Sequence, residues 1–252
     1  MTFTRDAARP SEKASGATRR ESAMRETAHG TTRTRTAPGF TLIETSLSLI
    51  IISVGVLAMV SAQQAFLRKN AWSTNASTAT FLANEIREMT RSFSLHDPFS
   101  GGIYFQDPVA KTGFTGWGPE TSETTAADFD DLDDLDGVAL GDAPNLPGAL
   151  SLRLPGPVDA AARIIPDMSW NGQPVVDAAN NPVPVPGWTQ YIEVEKILPG
   201  DYTNAVADNF EQAAPFIAVD AFPLRVTVHV LYQGPLETQA KEVAKAVWIV
   251  PR

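Results

Sequence analysis

From Thr45 to Leu67 the chain runs for 23 residues without a charge, and apolar side chains fall on every face rather than on one stripe. As a helix, such a run is about 35 Å long, against a bilayer hydrocarbon core of about 30 Å. One carboxylate, Glu44, stands at its head. Further on the pattern changes. Trp72, Ala79, Leu82, Ile86, Met89 and Phe93 keep a three-four spacing with Asn75 as the one polar break, while Asn84, Glu85, Arg87, Glu88 and Arg91 fill the other faces. That spacing predicts an amphipathic continuation of the same helix, laying one stripe against a sheet. No proline lies between Pro38 and Pro98, so one near-continuous helix is expected over residues 40–95, with its membrane segment at about 45–67. His96-Asp97-Pro98 and Gly101-Gly102 supply the stop.

Beyond about residue 148 the period shifts toward two. Leu224–Tyr232 is the clearest strand, with Val226, Val228 and Val230 facing one way and Arg225, Thr227 and His229 the other, toward solvent. Gln190–Leu198 alternates Ile192 and Val194 with Glu193 and Glu195. Val243–Val250 and Ala149–Leu154 are further candidates, Ala162–Ile165 and Pro174–Val176 weaker ones, and Ile103-Tyr104-Phe105 a short one. Tyr202–Phe216 reads as an irregular excursion. The last three main candidates need no crossover helix, which predicts an antiparallel sheet. The expected class is α+β: a long N-terminal helix packed on a C-terminal antiparallel sheet. Four segments follow: a basic leader over 1–39, the helix over 40–95, an acidic loop region over 96–147 and a sheet head over 148–252.

Charge sharpens this division. The net charge is −9, but residues 1–39 carry eight Arg/Lys against four Asp/Glu, and the remainder is strongly acidic. A basic end before an apolar run predicts a cytoplasmic N-terminus and an exported body. An acidic body argues against nucleic acid as a partner. Residues 1–38 lack apolar periodicity and read as a transient, disordered leader, with Met24 a candidate start. An ordinary secretory signal cut near Ser61-Ala62 is the competing reading. Ser48, Gly55, Ala58, Ala62 and Ala65 form a small-residue stripe suited to close helix–helix approach, and Trp72 suits an outer interfacial anchor.

Catalytic chemistry is not indicated. There is no cysteine, so disulfides and thiolate chemistry are excluded. His29, His96 and His229 are scattered, no Ser lies in a Gly-x-Ser-x-Gly context, and no phosphate-cradling glycine loop occurs. The sharpest local signal is Asp128–Gly137, with six Asp in nine residues. Asp130, Asp131, Asp133, Asp134 and Asp136 are candidate Ca²⁺ ligands by donor type. The helix–loop–helix calcium pattern fails here: counted back from Gly137, its first ligand falls on Leu132 and its last acid on Ala143. The favoured expectation is therefore a solvated acidic loop with Phe129, Leu132 and Leu135 tucked under the head, no cofactor, and structural calcium as the competing reading.

Gly39-Phe40-Thr41-Leu42-Ile43-Glu44, preceded by a basic segment and followed by the apolar helix, resembles the class III signal of type IV pilins and type II secretion pseudopilins. The close match covers about residues 39–65. Thr80–Phe93 and the acidic run are similar to minor pilins of the MSHA or PilV-like kind. The resemblance implies a pilin-like fold, cleavage by a prepilin peptidase between Gly39 and Phe40, N-methylation of Phe40, and pairing of Glu44 with the N-terminal amine of a neighbouring subunit. It also implies an inner-membrane, single-pass chain with its head outside, partnered by membrane lipid and other pilin or pseudopilin subunits. Pro38 stands where a basic residue commonly precedes the glycine, and no mid-helix proline or C-terminal Cys pair is present, which favours a minor subunit. The alternative is a single-pass anchored protein whose head binds a ligand or partner and never polymerises. A membrane-tethered enzyme is the least supported class.

Overall fold

The structure is a computed structural model, and it describes residues 39–98 and 101–252. The leader expected over 1–39 lies outside the described residues except for Gly39. The described residues fall into two units, one ending at Gly55 and the other running from Val56 to Arg252.

One helix, α1, spans Leu42–Met89 and ends in a single 3-10 turn at Thr90–Ser92. Among the described residues it is the one helix long and apolar enough to cross a membrane, by length and composition. In the first unit Leu47, Leu49, Ile50, Ile51, Ile52 and Val54 are all exposed, and in the second the exposure continues through Leu57, Met59, Phe66 and Leu67. A helix that is apolar all round and uncovered requires a lipid or protein environment. Several of its hydroxyls are satisfied within the helix: Ser46, Ser53 and Ser61 donate to the carbonyls of Leu42, Leu49 and Leu57 at 3.0, 2.7 and 2.9 Å. Back-bonding of this kind removes the cost of a hydroxyl in hydrocarbon.

Farther along, the three-four stripe is buried as the spacing predicts: Ala79, Leu82, Ala83, Ile86 and Met89 are all core residues. Trp72, at the start of the stripe, remains exposed. Burying Leu82 and Ile86 contributes about 1.5–3 kcal/mol each. The α-helical part stops at Met89, so the expected helix to residue 95 is too long, and the last residues before Pro98 turn inward instead.

Ten strands follow. β1 (Tyr104–Asp107) and β2 (Thr112–Thr115) form an antiparallel hairpin. The main sheet holds β3 (Val138–Leu140), β4 (Leu152–Leu154), β5 (Trp188–Leu198), β9 (Leu224–Tyr232) and β10 (Lys241–Val250) in the order β10-β9-β5-β3-β4. β6 (Asp201–Ala205) pairs with the end of β5, and β7 (Gln212–Ala213) pairs with β8 (Phe216–Ile217). One row crosses five strands through Ala246, Val228, Ile192, Val138 and Leu152. The apolar members of this face and the α1 stripe belong to one hydrophobic core.

Three expectations need correction. The sheet is mixed, because β3 runs parallel to β4 while its other neighbour, β5, is antiparallel. The eleven residues between β3 and β4 supply the crossover that a parallel pair needs, without a helix. The head also begins earlier than residue 148, since β3 is a fully buried inner strand drawn from the segment read as loop. Finally, Ala162–Ile165 and Pro174–Val176 make only isolated bridges, opposite Val158 and Pro182 among others. Prolines at 174, 182 and 184 cannot donate to a ladder.

Candidate functional site

Two places carry the residues singled out by the sequence. The first is the head of α1. Gly39 and Phe40 lie exposed in non-helical chain just before the helix, with Phe40 76% accessible. Thr41 caps the helix: its carbonyl accepts the N–H groups of Glu44 and Thr45 at 3.0 and 3.2 Å, and its Oγ1 accepts the Glu44 N–H at 3.3 Å. Glu44 is the acid of the helix's first turn. Thr41-x-x-Glu44 thus has the spacing of a capping box, and an acid there meets the positive end of the helix dipole. Ser48, Gly55, Ala58, Ala62 and Ala65 are all exposed along α1.

The second is the acidic segment, and it overturns the expectation of a solvated loop. Asp131, Asp133 and Asp134 are each only 1% accessible. A short 3-10 turn at Asp133–Leu135 follows Leu132, and Leu132 and Leu135 are fully buried as expected. Burying two leucines three residues apart in so tight a turn carries the intervening carboxylates inward with them. The turn is held by its own acids. Asp131 Oδ1 accepts the N–H groups of Asp133 and Asp134 at 3.0 and 3.2 Å. Asp134 Oδ2 accepts those of Asp130 and Asp131, both at 3.2 Å. Gly137 closes the segment at φ +71°, where an added Cβ would stand 2.5 Å from Ser151 Oγ. No side chain fits there.

Around this turn the chain gathers further acids. Glu120, Glu123 and Asp134 each bring one carboxylate oxygen within 4.8 Å of the others, and so do Asp130, Asp131 and Asp134. Glu123 Oε2 also accepts the Glu120 N–H at 2.8 Å. His96, just past the end of α1, places Nδ1 2.9 Å from Asp133 Oδ1. Among the described residues Asp134 Oδ1, Asp133 Oδ2 and His96 Nε2 are buried without a hydrogen-bond partner.

The electrostatics follow from burial. Desolvation raises Asp131, Asp133, Asp134 and Glu123 above the ordinary carboxylate range. It lowers His96 to about 4, so the imidazole is neutral at pH 7. The nearest buried cation is Lys196 on β5, lowered to about 8, again chiefly by burial. Its ammonium donates to the Asp208 carbonyl and stands 5.4, 5.7 and 5.9 Å from the rings of Phe222, Trp117 and Phe114. It therefore makes no direct ion pair with the acids.

Of the five Asp proposed as ligands, the structure brings Asp130, Asp131 and Asp134 together and sets Asp133 beside His96. Asp136 is otherwise engaged: its Oδ1 accepts the Val194 N–H at 3.0 Å and its Oδ2 the Trp117 Nε1–H at 3.1 Å. Sequence reasoning missed Glu120, Glu123 and His96. The Glu pair lies in a Thr-rich loop without motif, and His96 read only as a helix stop. It also misplaced His229, which is 4% accessible and bonded through its two ring nitrogens to Glu242 and Glu193. A second small apolar cluster, with Ala139, Tyr191 and Leu231 at its centre, covers that face of the sheet.

Fold and site together define a class: among the described residues, one membrane-length helix, an α+β head docked on the amphipathic half of that helix, and a buried carboxylate cluster beside the helix end. Comparison with protein-family models, with curated proteins and with solved structures gives no significant match.

Proposed function

We propose that the protein is a minor pilin-like or pseudopilin subunit, a structural rather than catalytic component. In this reading it is cleaved by a prepilin peptidase between Gly39 and Phe40, methylated on Phe40, and assembled through α1 into a type IV pilus or secretion pseudopilus. Before assembly it is anchored in the cytoplasmic membrane with its head outside. The observation that carries this reading is the head of α1: an exposed Gly39-Phe40 in non-helical chain, one residue before the helix cap, with Glu44 in the first turn of an otherwise uncharged and uncovered apolar run. A peptidase needs its bond extended and accessible. An acid facing lipid costs about 2.5–3.5 kcal/mol deep in the core, and a neighbour's N-terminal amine relieves that cost on assembly.

Intact mass and N-terminal sequencing after co-expression with a prepilin peptidase test this directly. The expected mature chain begins at methylated Phe40. An uncut chain, or cutting after Ala62, rules the reading out.

A second reading, a single-pass anchored head that binds a partner without polymerising, is favoured by a different feature. A cavity of about 630 Å³ is lined by Trp72, Tyr232, Leu236 and Val243, with Arg68 and Lys241 at its edge. Leu236 is 99% accessible there. Filament assembly in the presence of the machinery separates the two readings.

A further inference from the structure

We propose that the acids around Asp134 form a binding site for a hard divalent cation of the calcium class, with Asp134 as the shared ligand, Glu120 and Glu123 on one side and Asp130 and Asp131 on the other. The inference is independent of the filament reading.

Geometry carries it. Each of the two triads that share Asp134 has its oxygens within 4.8 Å of one another. Ligands at about 2.4 Å from a common Ca²⁺ are at most about 4.8 Å apart, so each triad taken by itself meets the limit of a coordination sphere. Carboxylates at that spacing repel one another unless a proton or a cation stands between them. A second observation is independent of the clustering. Asp134 is 99% buried; its Oδ2 is consumed by the N–H groups of Asp130 and Asp131, and its Oδ1 has no partner. A buried carboxylate oxygen left without donor or cation is destabilising, and an ion bound there answers it. No local base answers the need. Lys196 spends its ammonium on the Asp208 carbonyl, and the neutral His96 offers Asp133 a hydrogen bond rather than a charge.

Chemistry selects the cation. The donors gathered around Asp134 are all carboxylate oxygens, which suit a hard ion. They come from two separate stretches of chain, residues 120–123 and residues 130–134, and from no α-helix or strand. Ca²⁺ tolerates that arrangement. Mg²⁺ demands near-octahedral geometry and keeps its waters. The ion would tie residues 120–123 to the turn at 130–134, and so brace the segment that packs between the end of α1 and β5.

The test uses the full-length chain in detergent micelles, stripped with EDTA and titrated calorimetrically with CaCl₂ at pH 7.5, alongside thermal unfolding by near-UV circular dichroism. One Ca²⁺ per chain should bind with Kd on the order of 10⁻⁵–10⁻³ M, and saturation should raise Tm by roughly 5 °C. Mg²⁺ at the same concentration should give less than half that shift. Asp134→Asn and Glu123→Gln should each weaken Ca²⁺ binding about tenfold or more, by loss of a charged ligand. Glu123→Gln keeps the carbonyl that accepts the Glu120 N–H, so it decides the matter even where Asp134→Asn does not fold. Absence of binding heat and of any Tm change at about 5 mM Ca²⁺ overturns the proposal. Unchanged Ca²⁺ affinity in Glu123→Gln, or tighter binding of Zn²⁺ than of Ca²⁺, overturns it equally.

Discussion

Asp131 and Asp134 cap each other's backbone. Asp131 Oδ1 takes the N–H groups of Asp133 and Asp134, and Asp134 Oδ2 takes those of Asp130 and Asp131. Four donors of one tight turn are satisfied by two acids that belong to it. The turn therefore depends on carboxylates for its shape before any ligand is considered, and this separates structural from binding roles among the acids.

Asp131→Ala removes the acceptor for two buried N–H groups and should cost about 2 kcal/mol. Asp131→Asn keeps a carbonyl acceptor and removes a like charge, so it should cost much less. Urea denaturation of the two variants, compared at constant m-value, checks the ordering. Equal losses would show that charge, not the hydrogen bonds, is what the turn requires.

Stability should depend on pH with a definite sign in chelating buffer. Burial raises Asp131, Asp133 and Asp134 above their ordinary range near 4. The folded state then holds protons that the unfolded chain has released, so stability falls as pH rises toward the raised values. His96 acts oppositely: lowered to about 4, it costs stability only as pH falls from about 6.5 toward 4. Between about pH 6.5 and 8 the carboxylates act alone, and Tm should decline across that window in EDTA. Saturating Ca²⁺ should flatten the decline. Above about 8 the release of the Lys196 proton works against it.

Gln190 joins helix, loop and sheet. It is fully buried; its Nε2 donates to the Leu82 carbonyl of α1 at 2.9 Å and to the Val158 carbonyl at 3.0 Å, and its Oε1 accepts the Val158 N–H at 2.8 Å. Gln190→Leu preserves volume but strands the Val158 amide and carbonyl. A loss of about 2–4 kcal/mol is expected. Limited proteolysis should show cleavage near residue 158 before the sheet opens.

On the proposed filament reading, Glu44→Ala should leave membrane insertion and cleavage after Gly39 unchanged and reduce incorporation into filaments. Glu44→Gln tests the capping role separately, since the Thr41 Oγ1 bond is made by the Glu44 backbone and survives both substitutions. Fractionation and immunoblotting of sheared filaments give the measurement. Normal incorporation of both variants removes the charge-pairing role.

Much of the fold was legible because its signals are periodic. Val226, Val228 and Val230 alternate and occupy the core face of β9 over the expected bounds. Leu82, Ile86 and Met89 repeat at helical spacing and are buried. What failed was local or contextual. Val138-Ala139-Leu140 is too short to announce an inner strand, and its parallel partner becomes visible only from its place beside β5. Thr227 and His229 sit on a face that alternation assigns to solvent, yet residues distant in sequence, such as Ala143 and Ala240, roof it over.

The sequence by itself determined the membrane-length helix, its amphipathic extension and the acid at its head, because hydrophobic length and period act along a continuous stretch of chain. It also supplied the acidic run, whose Leu132 and Leu135 announce that part of it must go inside. Only the tertiary structure decided that Asp131, Asp133 and Asp134 go inside with them, and that Glu120, Glu123 and His96 meet them there. The physical reason is that burial of charge is a property of neighbours. A carboxylate is inexpensive in water and costly in a core, and the residues that make the difference here lie across turns and strands that no local pattern connects.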